Sequence, residues 1–170
     1  PLTNKNQKWS GEKMILFPSL IDKECDNETI LKTFSEKTFN DYGVVALVPS
    51  TKRADNYQKS GAIKATFSTV DEILSKLKSH NFSKLVVIAN RYDGIDLPDV
   101  SCRILILDNL PYFDSLADRY EENCCPNSEL INKRIAQKIE QGLGRGVRGE
   151  KDFCAIIITG HELVQFMQNC

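Results

Sequence analysis

The stretch QGLGRGVRGEKDFCAIIIT (141–159) decides how the rest of the chain is read. Residues 142–149 hold four glycines and two arginines; residues 153–159 are a solid apolar run. From Gly144 the letters G-R-G-V-R-G satisfy the G-x-G-x-x-G pattern of a dinucleotide-binding turn. That turn needs a strand before its first glycine and a helix after its last, because the helix N-terminus offers free N–H groups to the pyrophosphate. Here the order is reversed. The amphipathic run 127–141 is helical and ends at the glycines, and the run 153–159 reads as a buried strand. The acidic residue expected about 20 positions on, for the ribose, would fall where the sequence has nearly ended. The dinucleotide-cofactor assignment fails, and a helix–loop–strand unit remains.

Working outward, the same alternation recurs. Apolar runs at 12–18, 44–49, 84–90 and 102–108 read as strands, with a weaker, edge-like one at 62–67. Between them lie helical patterns. One starts at the Asp26/Asn27 cap and stops at Gly43; a short polar one is capped by Ser50 or Thr51 and ends near Gly61. A third, 68–80, carries a Ser68–Asp71 capping box. Helices also fit 111–122 and 161–168, with a turn around Pro126. Continuous apolar strands alternating with helices imply a mainly parallel sheet covered on both faces. In such sheets ligands sit beyond the carboxyl ends of the strands, so the loops 91–101 and 142–152 either lie there or need another explanation.

Composition narrows the function. The 170 residues suit one domain, 1–170. With 22 basic against 23 acidic residues the net charge is −1, which argues against a protein coated in positive charge for nucleic acid or anionic lipid. No apolar run approaches the roughly 20 residues of a spanning helix, and there is no secretory signal pattern, so no membrane partner and an intracellular, cytoplasmic location are expected. The six cysteines lack paired C-x-x-C spacing and a neighbouring histidine. They read as reduced thiols, with Cys102 and Cys154 acting as small hydrophobes in strand-like runs, and no metal site is expected. A start at Pro1 without methionine suggests a piece of a longer protein.

Arg145 and Arg148 are three apart, so on a helical turn they would share a face. Guanidinium groups bind phosphate bidentately and keep their charge, which suits the role of an arginine finger on a transferring phosphoryl group. A solvated Gly/Arg loop is the plain alternative. The stretch ANRYDGIDLPDVSCRILILDNLP (89–111) adds a second loop: strand, then Asp93–Gly94–Ile95–Asp96, then Pro98, then strand.

Taken together, 89–111 resembles motif V of superfamily-2 helicases. The run QGLGRGVR (141–148) resembles their motif VI, Q-x-x-G-R-x-x-R, one helix later. VVALVPSTKRADNY (44–57) looks like the motif IV region. The order and spacing are similar to the second, C-terminal RecA-like domain of the XPD/DinG group. The chain departs from that group at Asp93, where Glu is usual, and at Arg91. The resemblance implies a RecA-like three-layer α/β sandwich. It also implies ATP with Mg2+, bound mainly by an N-terminal RecA-like domain of the same protein. Arg145, Arg148 and Gln141 would serve catalysis, and Gly94, Asp96 and Gly144 the nucleotide. Ser50, Thr51, Asn90, Arg91, Tyr92 and Asp93 would contact a single strand, DNA by preference. An iron–sulfur cluster, in that group, belongs to the first domain.

Each residue keeps a plain reading as well. Asp93 and Asp96 beside Gly94 fit a turn. Tyr92 suits base stacking or a cap on the core. Lys133, Arg134 and Lys138 suit a solvated helix face. No G-x-x-x-x-G-K-S/T and no D-E-x-D/H box occurs in the sequence, so the chain alone is expected not to turn over ATP. The alternative is a non-catalytic helicase-like α/β domain that binds a nucleic acid or protein partner.

Overall fold

The computed structural model describes residues 11–92, 95–111, 120, 124, 128–147 and 152–169. Among the described residues six strands form one sheet: β1 (Glu12–Leu16), β2 (Val44–Val48), β3 (Ile63–Ala65), β4 (Val86–Ala89), β5 (Ile104–Asp108) and β6 (Phe153–Thr159). Their order is β1-β6-β5-β2-β4-β3, and every pairing is parallel. The described helices are α1 (Pro18–Ile21), α2 (Asn27–Glu36), α3 (Thr51–Lys59), α4 (Val70–Lys78), α5 (Glu129–Leu143) and α6 (His161–Gln168). None of them is long and apolar enough to cross a membrane.

Alternation along the strands makes the three layers. Val45 and Leu47 of β2, Leu105 and Leu107 of β5 and Ile156 and Ile158 of β6 pack with Ile131, Ile135 and Ile139 of α5, Leu77 of α4 and Leu163 of α6. Val44, Ala46 and Val48 of β2 and Ile106 of β5 face the other way, onto Ile30 and Leu31 of α2 and Ala54 and Tyr57 of α3. A strand's side chains point to opposite faces in turn, so a strand with helices on both sides must be apolar at every position. That is why β2 is buried throughout.

Several boundaries differ from the sequence expectation. α2 ends at Glu36 rather than running to Gly43; its N-cap Asp26 accepts from the Thr29 amide at 2.8 Å, as expected of an Asp cap. The sequence carries no signal for α1, because four residues are too few to show a helical period. The Ser68–Asp71 capping box does not form. Thr69 is the N-cap of α4 without a side-chain cap bond, and its hydroxyl instead accepts from the Thr66 amide at 3.0 Å. Cys102 sits in a 3-10 turn, Asp99–Cys102, ahead of β5 rather than within it. α5 continues through Gly142 to Leu143, past the expected stop. Cys25, Cys102, Cys124 and Cys154 are free thiols. The helix expected over 111–122 falls almost wholly outside the described residues, as do Asp93, Gly94 and Arg148.

Candidate functional site

Parallel strands give the molecule two unlike ends. At the carboxyl end Ser50 and Thr51 follow β2, while Asn90 and Arg91 follow its neighbour β4, with Val48 paired to Ala89. The Asn90 amide donates to the Val48 carbonyl at 2.8 Å, tying the two exits together. Ser50 caps α3, its hydroxyl accepting from the Arg53 amide at 3.2 Å, and Thr51 is exposed. Asn90 and, after β5, Asn109 adopt left-handed backbone, φ 55° and 65°, a conformation that Asn tolerates better than most residues.

Beneath this edge lies a buried ion pair that sequence reasoning missed. Asp108, the last residue of β5, has a fully buried side chain and accepts from Arg53 Nε at 2.7 Å. It also accepts from Asn109 Nδ2 at 2.8 Å. Arg53 Nη1 reaches Glu28 at 2.5 Å, so one guanidinium joins α2, α3 and β5. Burial lifts the Asp108 pKa above its ordinary value, and the pull of Arg53 only partly offsets that lift. On Arg53 burial also opposes the charge, but Asp108 and Glu28 outweigh it and the pKa rises. Asp108 is the more buried partner, so its cost decides. An acid closing an apolar strand was the available signal.

The other end holds the glycine loop. α5 leads into β6, so residues 144–147 lie toward the amino edge of the sheet. These residues therefore do not sit beyond the carboxyl ends: an α-to-β connection must return to where the next strand begins. Gly144 is the C-cap of α5, its amide donating to the Glu140 carbonyl at 3.0 Å. Gln141, in the last helical turn, is exposed. Arg145 follows the helix rather than riding on it, so helical spacing does not set its direction. Its Nε donates to the Tyr92 carbonyl at 2.7 Å and its Nη1 to the Ile95 carbonyl at 3.1 Å.

The loop after β4 therefore spans both ends. It leaves the sheet at Asn90, is held midway by Arg145, and ends beside Gly43, whose amide donates to the Val100 carbonyl at 2.8 Å just before β2. Asp96 is exposed on this loop, with Lys78 Nζ at 3.6 Å. A latch that the sequence did not reveal closes the amino edge: Arg103 pairs with Asp99 and, at 2.7 Å, with the buried Asp152. Tyr92 is not on the surface. It is 4% exposed and part of the core, with burial pushing its pKa up; its ring is closed to a base, so the core-capping alternative holds. Of the basic positions on α5, Lys133 is exposed while Arg134 and Lys138 are partly buried. Among the described residues no three His, Cys, Asp or Glu side chains group as metal ligands do.

The fold has clear relatives. An XPD helicase structure superposes with a TM-score of 0.63 at 14% identity, covering 94% of this chain and 34% of that one. An apo form of XPD gives 0.62 at 15%, covering 94% and 38%. Xpd4 of S. tokodaii gives 0.59 at 18%, covering 96% and 37%. The chain thus spans little more than a third of the structures it resembles. No curated protein matches its sequence. The family model of the helicase C-terminal domain matches residues 7–166, nearly the whole chain, and the protein belongs to that family.

Proposed function

We propose that this chain is the second motor domain of an ATP-dependent nucleic-acid helicase. In this proposal an N-terminal RecA-like domain of the same protein holds most of the nucleotide, and the present domain completes the site from its amino edge. The single strand, DNA in this proposal, lies across the carboxyl edge at Ser50, Thr51, Asn90 and Arg91. The bond pair from Arg145 to the carbonyls of Tyr92 and Ile95 is the observation that carries it. One residue of the motif VI-like loop thereby grips the motif V-like loop, whose near end lies among the strand-binding candidates.

The residues suit a phosphate. Arg145 has five N–H donors; two are committed to carbonyls, and three remain for an acceptor in the cleft. Bound ATP with magnesium would supply the transferable phosphoryl group. Arg145, with Arg148 beside it in sequence, would place positive charge where negative charge develops, and its backbone anchors fix that charge in advance. Gln141, Gly144, Gly94 and Asp96 would border the nucleotide. Any shift of the Arg145 guanidinium is transmitted to Tyr92 and Ile95, hence toward Asn90 and Arg91.

In the longer protein, Arg145→Ala should lower strand-stimulated ATP hydrolysis by about 10³-fold or more, the scale of an arginine finger, while nucleotide affinity moves by less than about tenfold. The isolated chain should not turn over ATP. Hydrolysis that survives the substitution, or robust turnover by the chain alone, would overturn this function.

A further inference from the structure

We propose that Phe67 and Arg91 form a stacking site for one unpaired base of a single strand, an inference that rests on the nucleic-acid function above and adds a residue to it. Phe67 lies just past β3 and Arg91 just past β4, and these strands pair with Ala65 opposite Ile88. The two side chains therefore meet on the carboxyl edge. The Phe67 ring is 90% exposed, and the Arg91 guanidinium stands over it, 5.8 Å from the centroid. Beside the ring is a hollow of about 250 Å³, bordered also by Thr66, Val70, Ile88 and Asn90.

An isolated exposed apolar side chain needs no explanation. This one has three neighbours that point to a ligand. The guanidinium can hold one face of the ring and meet a phosphate, while the other face accepts a base; aromatic faces beside cationic grooves are how single strands are bound irrespective of sequence. The Thr66 hydroxyl lies 3.1 Å from that of Ser68 and 2.9 Å from that of Thr69 on the exposed turn. Finally, the site continues the edge formed by Ser50, Thr51 and Asn90. The guanidinium over the ring suits a partner that offers a phosphate together with a flat apolar face, as a nucleotide does.

The test is fluorescence anisotropy of the chain with labelled oligodeoxythymidylate and, separately, oligouridylate, each also carrying single abasic positions. Phe67→Ala should weaken binding about 5- to 150-fold, the scale of one lost base stack. Phe67→Leu should behave like Ala and Phe67→Trp like the unsubstituted chain. Thermal melts of all three should stay close to the original, since the ring is exposed. An abasic strand should bind the unsubstituted chain as weakly as an intact strand binds Phe67→Ala. Tighter binding to one oligonucleotide type than to the other identifies the strand and supports the site in either case. If the unsubstituted chain binds neither strand, the nucleic-acid function falls and this site with it. If it binds and Phe67→Ala or an abasic strand binds equally well, the stacking site alone is overturned.

Discussion

Gly142, Gly144 and Gly146 stand two apart, and packing requires a glycine at the first and last of them but not at Gly144. A Cβ on Gly142 would press on Tyr92 and Leu107 at 3.2–3.3 Å. On Gly146 it would lie 2.5 Å from the Cys154 sulfur, within the core. On Gly144 it would meet only carbonyl oxygens at 3.5 Å, and that residue keeps helical backbone at φ −79°. Gly146→Ala should therefore cost about 1–3 kcal/mol through overpacking. Gly144→Ala should be neutral or slightly stabilising, because alanine restricts the unfolded chain more than glycine does. Thermal melts would read this as a fall of several degrees for the first and little change for the second; equal losses would show that the glycines serve backbone freedom alone. The glycine spacing that suggests a cofactor cradle is thus set largely by packing. The same scale separates two aromatics, Tyr92 buried at 4% exposure and Phe67 at 90%. Tyr92 and Phe67 each follow a strand, but only the path of the following chain decides which is covered, and the sequence does not state that path.

At the scale of elements the Arg53–Asp108 pair fastens α3 to β5, and its energetics have a pH signature. An acid whose folded pKa lies above its ordinary value near 3.8 binds its proton more tightly in the folded state. Its contribution to stability is complete below that value and is lost as pH rises through the raised pKa. Asp108→Asn cannot titrate. The stability of the unsubstituted chain relative to this variant should therefore fall as pH climbs from about 4 towards neutrality, measured by urea unfolding across that range. A difference that stays level or grows would mean that Arg53 outweighs burial. The elements themselves were largely legible. Solid apolar runs such as 44–48 and 104–107 can be buried on both faces only in a covered parallel sheet, so fold class followed from periodicity alone. Caps set by a single local bond, Asp26 and Ser50, were legible too. Boundaries decided by packing were not: α2 stops at Glu36 although its pattern runs on, and Cys102 turns in a 3-10 bend because Arg103 is held by Asp99 and Asp152, partners 4 and 49 residues away. The candidate site was legible as motifs, whereas the Arg145 anchor, the amino-edge latch and the Phe67–Arg91 contact depend on distant chain segments meeting.

For the whole molecule, the described parts of the loop after β4 lie at both edges carrying the proposed nucleotide and strand contacts, Asn90 at one and Val100, beside Gly43, at the other. Strands β2, β4 and β5 are rigid by burial, so they do not transmit a small displacement as a change of shape; a loop fastened at chosen points can. Arg145 is such a fastening, and both its acceptors are backbone carbonyls, so the grip is on the path of the chain rather than on a side chain that could rotate away. Arg145→Lys retains the charge but cannot reproduce a planar fork on two carbonyls. Amides 95–103 should then exchange with solvent faster in the variant, while those of 45–48 and 104–107 keep their protection, because local opening draws on contacts local to the loop. Hydrogen-exchange mass spectrometry on the chain checks this directly. In the longer protein the same substitution should leave nucleotide affinity near its original value while weakening the effect of the strand on that affinity, and equally the effect of nucleotide on strand affinity, since binding coupling is reciprocal. If exchange in 95–103 is unchanged yet coupling is lost, Arg145 acts through its charge at the nucleotide alone. If exchange rises and coupling persists, the two edges communicate by another route.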